Sequence, residues 1–178
     1  NWDRPFLELV ILATGLEDGW SDKGVAGAAG DGSRVLIASA AAAVDMYEYD
    51  SATSTLRRID QVMRADSIQL DRTGSRILLN NTDVYDRDFQ LLGQLPANTI
   101  AAVFSPNLPR LYAYDSTGQL SSYDLSGTAV TPIRSWSPGA SAGDPLRRVV
   151  MTITAEGWTL LIAGTSGVLV EYIPDNAR

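Results

Sequence analysis

The chain has 178 residues, 45% apolar and 20% charged, a balance that supports a packed core rather than a disordered chain. Twenty-one acidic residues against 14 basic ones leave a net charge of −7, opposite in sign to the basic stripe that displaces counterions from nucleic-acid phosphates. There is no Cys and no His, which excludes disulfides, thiolate nucleophiles, imidazole bases and Cys/His zinc sites.

From the N-terminus, residues 6–12 form an apolar strand-like stretch that carries Glu8. It is too short to cross a bilayer, and no basic segment precedes it as in a secretory signal. Because the chain starts at Asn1 rather than Met, a processed or excised piece is expected. Residues 25–60 read as a first unit. It has a turn at Gly30, Asp31 and Gly32, an apolar run over 35–38, an alternating strand over 44–49 and a more polar closing strand over 55–59. Residues 65–95 repeat the plan, with a turn at 71–74, a run over 77–79 and a closing strand over 89–92. Residues 98–136 repeat it again, with strands expected over 100–104, 111–114 and 129–134. The last unit, 147–173, has an opening strand over 149–153, a turn at 155–157 and a run over 160–163, and runs out after Tyr172. The alanines 40–43 and the loosely helical spacing over 56–63 are read as strand edge or loop.

The units are copies of one another. Residues 110–123 align without a gap on 159–172, pairing Gly118 with Gly167, Leu120 with Leu169 and Tyr123 with Tyr172. Residues 32–39 align on 74–81, both opening Gly-Ser-Arg, and three units carry Tyr-Asp at 49–50, 85–86 and 123–124. The second strand of each unit is continuously apolar, the mark of a short strand covered on both faces. Four antiparallel strands per unit, the second covered on both sides, suit a β-propeller blade, because blades stack face to face around an axis. A two-sheet sandwich is the competing architecture.

The run at 35–38, then Tyr47-Glu48-Tyr49-Asp50-Ser51-Ala52-Thr53 and residues 56–59, resembles the YVTN-type β-propeller repeat. Phe104-Ser105-Pro106-Asn107, followed by Arg110-Leu111-Tyr112, resembles the Phe-Ser-Pro-Asp-Gly turn of WD-type repeats. The resemblance covers about residues 25–173 and implies blade architecture rather than chemistry. No blade ends in Trp-Asp, and the YVTN tetrapeptide is absent. Residues 115–118 match part of the pattern of quinone-binding propellers, without the Trp that follows it there. Lactonase relatives of the YVTN-like group use His in the central channel, which this chain lacks. The expected fold is therefore all-β, a propeller of about four antiparallel four-stranded blades. It is either half of a larger propeller or a small ring closed by residues 6–12.

Candidate chemistry is sparse. Asp83, Asp86 and Asp88 lack the spacing and the bend glycine of a calcium loop and read as solvated turn acids. Gly30, Asp31 and Gly32 lack a following Gly-Lys-Ser/Thr and read as a hairpin turn. Ser105 and Ser137 have no base to activate them. Trp158 reads as core, whereas Trp20 and Trp136 lie in loop-like sequence, where an exposed Trp serves as a recognition anchor. The loops after the buried strands and between blades should build one binding face, carrying Arg64, Asp66, Asn81, Asp83, Asp115, Trp136 and Arg147.

The expected function is a non-catalytic protein-binding or scaffolding module, with no cofactor. Its partner is a protein or the remaining blades of a parent propeller, with self-association through open blade faces. The excess of Arg over Lys and the Ala/Gly richness fit a GC-rich bacterial genome, and a periplasmic or extracellular setting is favoured. The alternatives are a metal-dependent hydrolase or lyase propeller with acidic channel residues, and a structural repeat of a large surface protein.

Overall fold

The computed structural model describes residues 24–39, 44–63, 65–138, 149–164 and 167–177. Fifteen strands fall into four antiparallel sheets, each in simple chain order. Blade 1 contains β1 (Gly24–Ala28), β2 (Arg34–Ser39), β3 (Val44–Asp50) and β4 (Thr55–Met63); blade 2 contains β5 (Ile68–Leu70), β6 (Arg76–Leu79), β7 (Asp83–Asp86) and β8 (Leu91–Gln94). Blade 3 contains β9 (Thr99–Phe104), β10 (Arg110–Asp115), β11 (Leu120–Asp124) and β12 (Thr131–Trp136). Blade 4 has three strands among the described residues, β13 (Val150–Ile153), β14 (Thr159–Gly164) and β15 (Gly167–Tyr172), followed by a 3-10 turn at Asp175–Ala177. The all-β, four-blade expectation holds. The extra strand expected over 6–12, the alanines 40–43 and Trp20 lie outside the described residues.

Three apolar cores sit between successive blades rather than within one central mass. Leu36, Ala38 and Met46 of blade 1 meet Ile68, Ile77 and Leu79 of blade 2. Leu78 and Val84, on the other face of blade 2, meet Ala102, Leu111 and Tyr123 of blade 3. Tyr112, Tyr114 and Leu120 of blade 3 then meet Met151, Leu160 and Ile162 of blade 4. Neighbouring residues of β6 and β10 thus point into different cores, which is why those runs are continuously apolar. The first strands converge. At Gly27, in β1, a Cβ would stand 2.7 Å from the Ile68 carbonyl oxygen of β5, so only glycine permits that approach.

The turn joining the first and second strands fixes which residues are equivalent. Ala29, Asp71, Ser105 and Thr154 each donate their N–H to the carbonyl five residues on, at Arg34, Arg76, Arg110 and Thr159. In blades 1, 2 and 4 a glycine in the left-handed region closes the turn, at Gly32, Gly74 and Gly157.

Four expectations are corrected. Phe89 belongs to a turn, with φ 61°, and its ring lies under the Arg34 guanidinium; the outer strand starts at Leu91. The closing strand of blade 3 spans Thr131–Trp136, so Trp136 is its last residue and is buried in the blade 3–blade 4 core, not in a loop. Trp158 is 58% exposed, because it occupies the turn position that Ser33, Ser75 and Pro109 hold in the other blades. The gapless alignment of Tyr123 with Tyr172 fails by one residue. Leu111 pairs with Tyr123 in blade 3, whereas Leu160 pairs with Glu171 in blade 4. A one-residue slip turns every side chain of a strand to the opposite face, so Tyr123 is buried and Tyr172 is 74% exposed.

Candidate functional site

The blades present two ends. The upper end carries the turns between second and third strands and the connections between blades; the lower end carries the first-to-second and third-to-fourth turns. Of the seven residues expected to form a binding face, Asp66, Asn81, Asp83, Asp115 and Trp136 all map to the upper end. Arg64 and Arg147 lie outside the described residues.

Local hydrogen bonds account for most of these positions. Asn80 and Asn81 both have positive φ, 56° and 60°, and the Thr82 N–H closes on the Leu79 carbonyl, the geometry of a tight hairpin turn that suits Asn. The Asp66 N–H donates to Asn80 Oδ1 at 2.7 Å, and Asn81 Nδ2 reaches the Ile100 carbonyl of blade 3 at 3.5 Å. Asp83 Oδ1 accepts from Gln94 Nε2 at 2.6 Å. Asp115 Oδ1 accepts from the Thr117 and Gln119 N–H groups and the Thr117 hydroxyl, while Asn98 donates to Oδ2. Burial alone would raise the Asp115 pKa, but these donors together hold it below the ordinary value of 3.8. Asp66, Asn80 and Asn81 are thus brought together, whereas Asp83 and Asp115 share no hydrogen-bond partner.

Turn capping is the general use of acid in this chain. Asp31, Asp50, Asp71, Asp86 and Asp124 each accept the N–H of a residue two to four positions on. Asp86 of the 83–88 trio is used in this way. Among the described residues no three acidic groups converge to hold a metal.

The lower end holds a pattern that the sequence reading did not single out. Arg34, Arg76 and Arg110 are equivalent, each opening a second strand opposite an aspartate, Asp50, Asp86 or Asp124. Arg34 is buried between blades 1 and 2. Its Nε donates to Glu48 Oε1 at 2.6 Å, while Nη1 and Nη2 reach across to the carbonyls of Gly74 and Arg87. Burial lowers the Arg34 pKa, and Glu48 opposes that shift. Glu48, 2% exposed, also accepts from Arg57 at 2.7 Å. Arg76 repeats the reach into blade 3, with Nη2 at 3.3 Å from the Leu125 carbonyl and 3.1 Å from that of Gly127. Arg110 stays within its own blade, paired to Asp124. The signal was present in the sequence, in the repeated Gly-Ser-Arg of blades 1 and 2 and the Pro-Arg of blade 3.

Between the lower-end turns of blades 2 and 3 lies a groove of about 510 Å³. The corresponding turns of blades 1 and 2 are tied by the Asp31 N–H to the Arg72 carbonyl, and those of blades 3 and 4 by Asn107 Nδ2 to the Ala155 carbonyl. No such bond joins residues 71–75 to 105–109, and the groove opens there.

No family model matches the chain, and no curated protein sequence matches it. Solved structures do. A Dos1 propeller superposes with a TM-score of 0.62 at 12% identity, over 83% of this chain and 41% of that one. The fold is a β-propeller. A chain of a mitotic checkpoint complex gives a TM-score of 0.60 at 15% identity, over 89% of this chain and 52% of that one. The β-propeller domain of Myceliophteria thermophila Cps50 (Swd1) gives 0.58 at 16%, over 88% and 54%. The propeller stretch described here spans about half the length of the chains it resembles. The outer face of blade 4 exposes Val150, Val168, Val170 and Tyr172.

Proposed function

We propose that this chain is a non-catalytic stretch of propeller that serves as a protein-binding or scaffolding module of a bacterial envelope or secreted protein. One observation carries the reading. The face of blade 4 turned away from blade 3 exposes Val150 at 69%, Val168 at 67%, Val170 and Tyr172, whereas both faces of blades 2 and 3 are covered. A contiguous apolar sheet face of this kind is an interaction surface, and a further blade or a partner of similar shape would cover it. The non-catalytic part of the reading is supported by the lack of His and Cys and by the engagement of the aspartates in turns.

The test is light scattering on the chain alone across a concentration series. Self-association that rises with concentration and is abolished by Val168→Glu with Tyr172→Glu is the expected result. A wild-type chain that stays monomeric throughout the micromolar range would contradict the reading.

A further inference from the structure

The groove between blades 2 and 3 gathers positive charge in an acidic protein. Arg72, Arg76 and Arg110 line it together with one carboxylate, Asp71, and Arg110 is also paired to Asp124 beside the groove. Asp71 is already committed, its two oxygens accepting from the Ser75 N–H at 2.8 Å and the Ser75 hydroxyl at 2.7 Å. Arg76 is held by neutral carbonyls, which leave its charge uncompensated. Arg72 is exposed, and its side chain makes no hydrogen bond or contact ion pair among the described residues; Asp31, on blade 1, is the acid that senses its charge.

Beneath these cations Ser105 is 4% exposed, and its hydroxyl has no hydrogen-bond partner among the described residues. One side of the remaining wall is apolar, formed by Phe104, Pro106, Leu108 and Pro109, and it is unusually built. Residues 105–109 form the one first-to-second turn without a glycine, and here the Arg110 N–H closes on Leu108 at 2.7 Å. Pro106 and Pro109 restrict the backbone on either side, and Leu108 is held out at 44% exposure.

We propose that this groove binds a short acidic segment of a partner protein, with a carboxylate against the arginines and a neighbouring apolar side chain against Leu108. The proposal rests on the reading of the chain as a protein-binding module and assigns that module a site. A volume near 510 Å³ falls within the range of small-ligand sites and suits a few residues. Arg72 and Arg76, unlike Arg110, are not ion-paired to an acid among the described residues and offer a partner's carboxylate charge-assisted bonds. The apolar wall favours a peptide over a bare inorganic anion, which gains nothing from Leu108.

The experiment titrates the whole isotopically labelled chain with a capped peptide of alternating Glu and Leu at low salt, followed by amide chemical shifts. Saturable shifts concentrated at residues 72–76 and 105–110 are expected, with no binding of the Lys/Leu analogue. Arg72→Glu should weaken binding about tenfold or more, and Leu108→Ser by about threefold, with melting temperatures unchanged because both side chains are exposed. Equal binding by Arg72→Glu overturns the proposal, as does full displacement by inorganic phosphate. Shifts confined to residues 80–83 and 115–119 overturn this site and leave the binding-module reading standing. That reading has its own readout in the association of blade 4.

Discussion

The hairpins β10–β11 and β14–β15 begin from nearly the same pattern and end in different surroundings. In blade 3 the connection runs through residues 116–119, and Leu111, Tyr112, Ala113 and Tyr114 are all buried, alternately against blades 2 and 4. In blade 4 the connection is two residues shorter, the pairing slips by one, and only Leu160 and Ile162 are fully covered. Leu161 and Ala163 follow the exposed Val168 and Val170 onto the outer face. A run of four apolar residues therefore does not by itself mean that both faces of the strand are covered. Its register is decided by a few loop residues.

The largest expected effect breaks that comparison in the core. Leu111→Ala removes a side chain buried between two blades and should cost about 2–5 kcal/mol, whereas Val168→Ala on the bare face should cost under about 0.5 kcal/mol. Urea unfolding of the two variants measures the contrast; equal losses would mean that blade 4 is covered in solution. The next effect concerns the arginines. Arg76 bonds across to blade 3, so Arg76→Ala should cost about 1.5 kcal/mol, the order of a hydrogen bond to a charged group. Among the described residues Arg110 bonds only within its own blade, to the Pro109 carbonyl and in a partly exposed ion pair with Asp124, and Arg110→Ala should cost about 0.5 kcal/mol. A loss at Arg110 as large as at Arg76 would show that it too braces a blade interface.

The strands were legible in the sequence because burial on both faces leaves a mark, a continuous apolar run, that a one-sided strand lacks. The runs at 35–38, 77–79, 111–114 and 160–163 all became second strands. Register was not legible, since Gly118 and Gly167 look alike in sequence, yet Gly118 lies in a connection and Gly167 is the first residue of β15. Nor was the fate of Trp136, whose burial depends on a strand end two residues beyond its expected limit. The site reading favoured the upper end because its Asp and Asn residues look chemically rich, and the structure uses most of them to hold turns. The groove went unnoticed because Arg72, Ser105 and Leu108 lie in segments that read as generic chain reversals. Two features marked it: a turn with prolines in place of glycine, and arginines recurring at one position of successive blades.

The smallest effect sharpens the same comparison at the turn that sets the blade 3 register. Asp115 clamps residues 116–119 through three donors to one oxygen, and Gly118 takes the left-handed φ of 83° that the turn requires. Its folded-state pKa is depressed below 3.8, burial opposing the shift and the Thr117 and backbone donors outweighing it. A depressed carboxylate binds fewer protons in the folded state than in the unfolded one. Its contribution is therefore complete above the unfolded-state pKa and is lost as pH falls through the lower folded value. Asp115→Asn removes this titration, so the variant's unfolding midpoint should fall less steeply than the wild type's between about pH 5 and pH 3. Parallel curves would mean that the clamp does not distinguish the two states of the carboxyl, and another feature would then have to hold blade 3 in a register that blade 4 does not share.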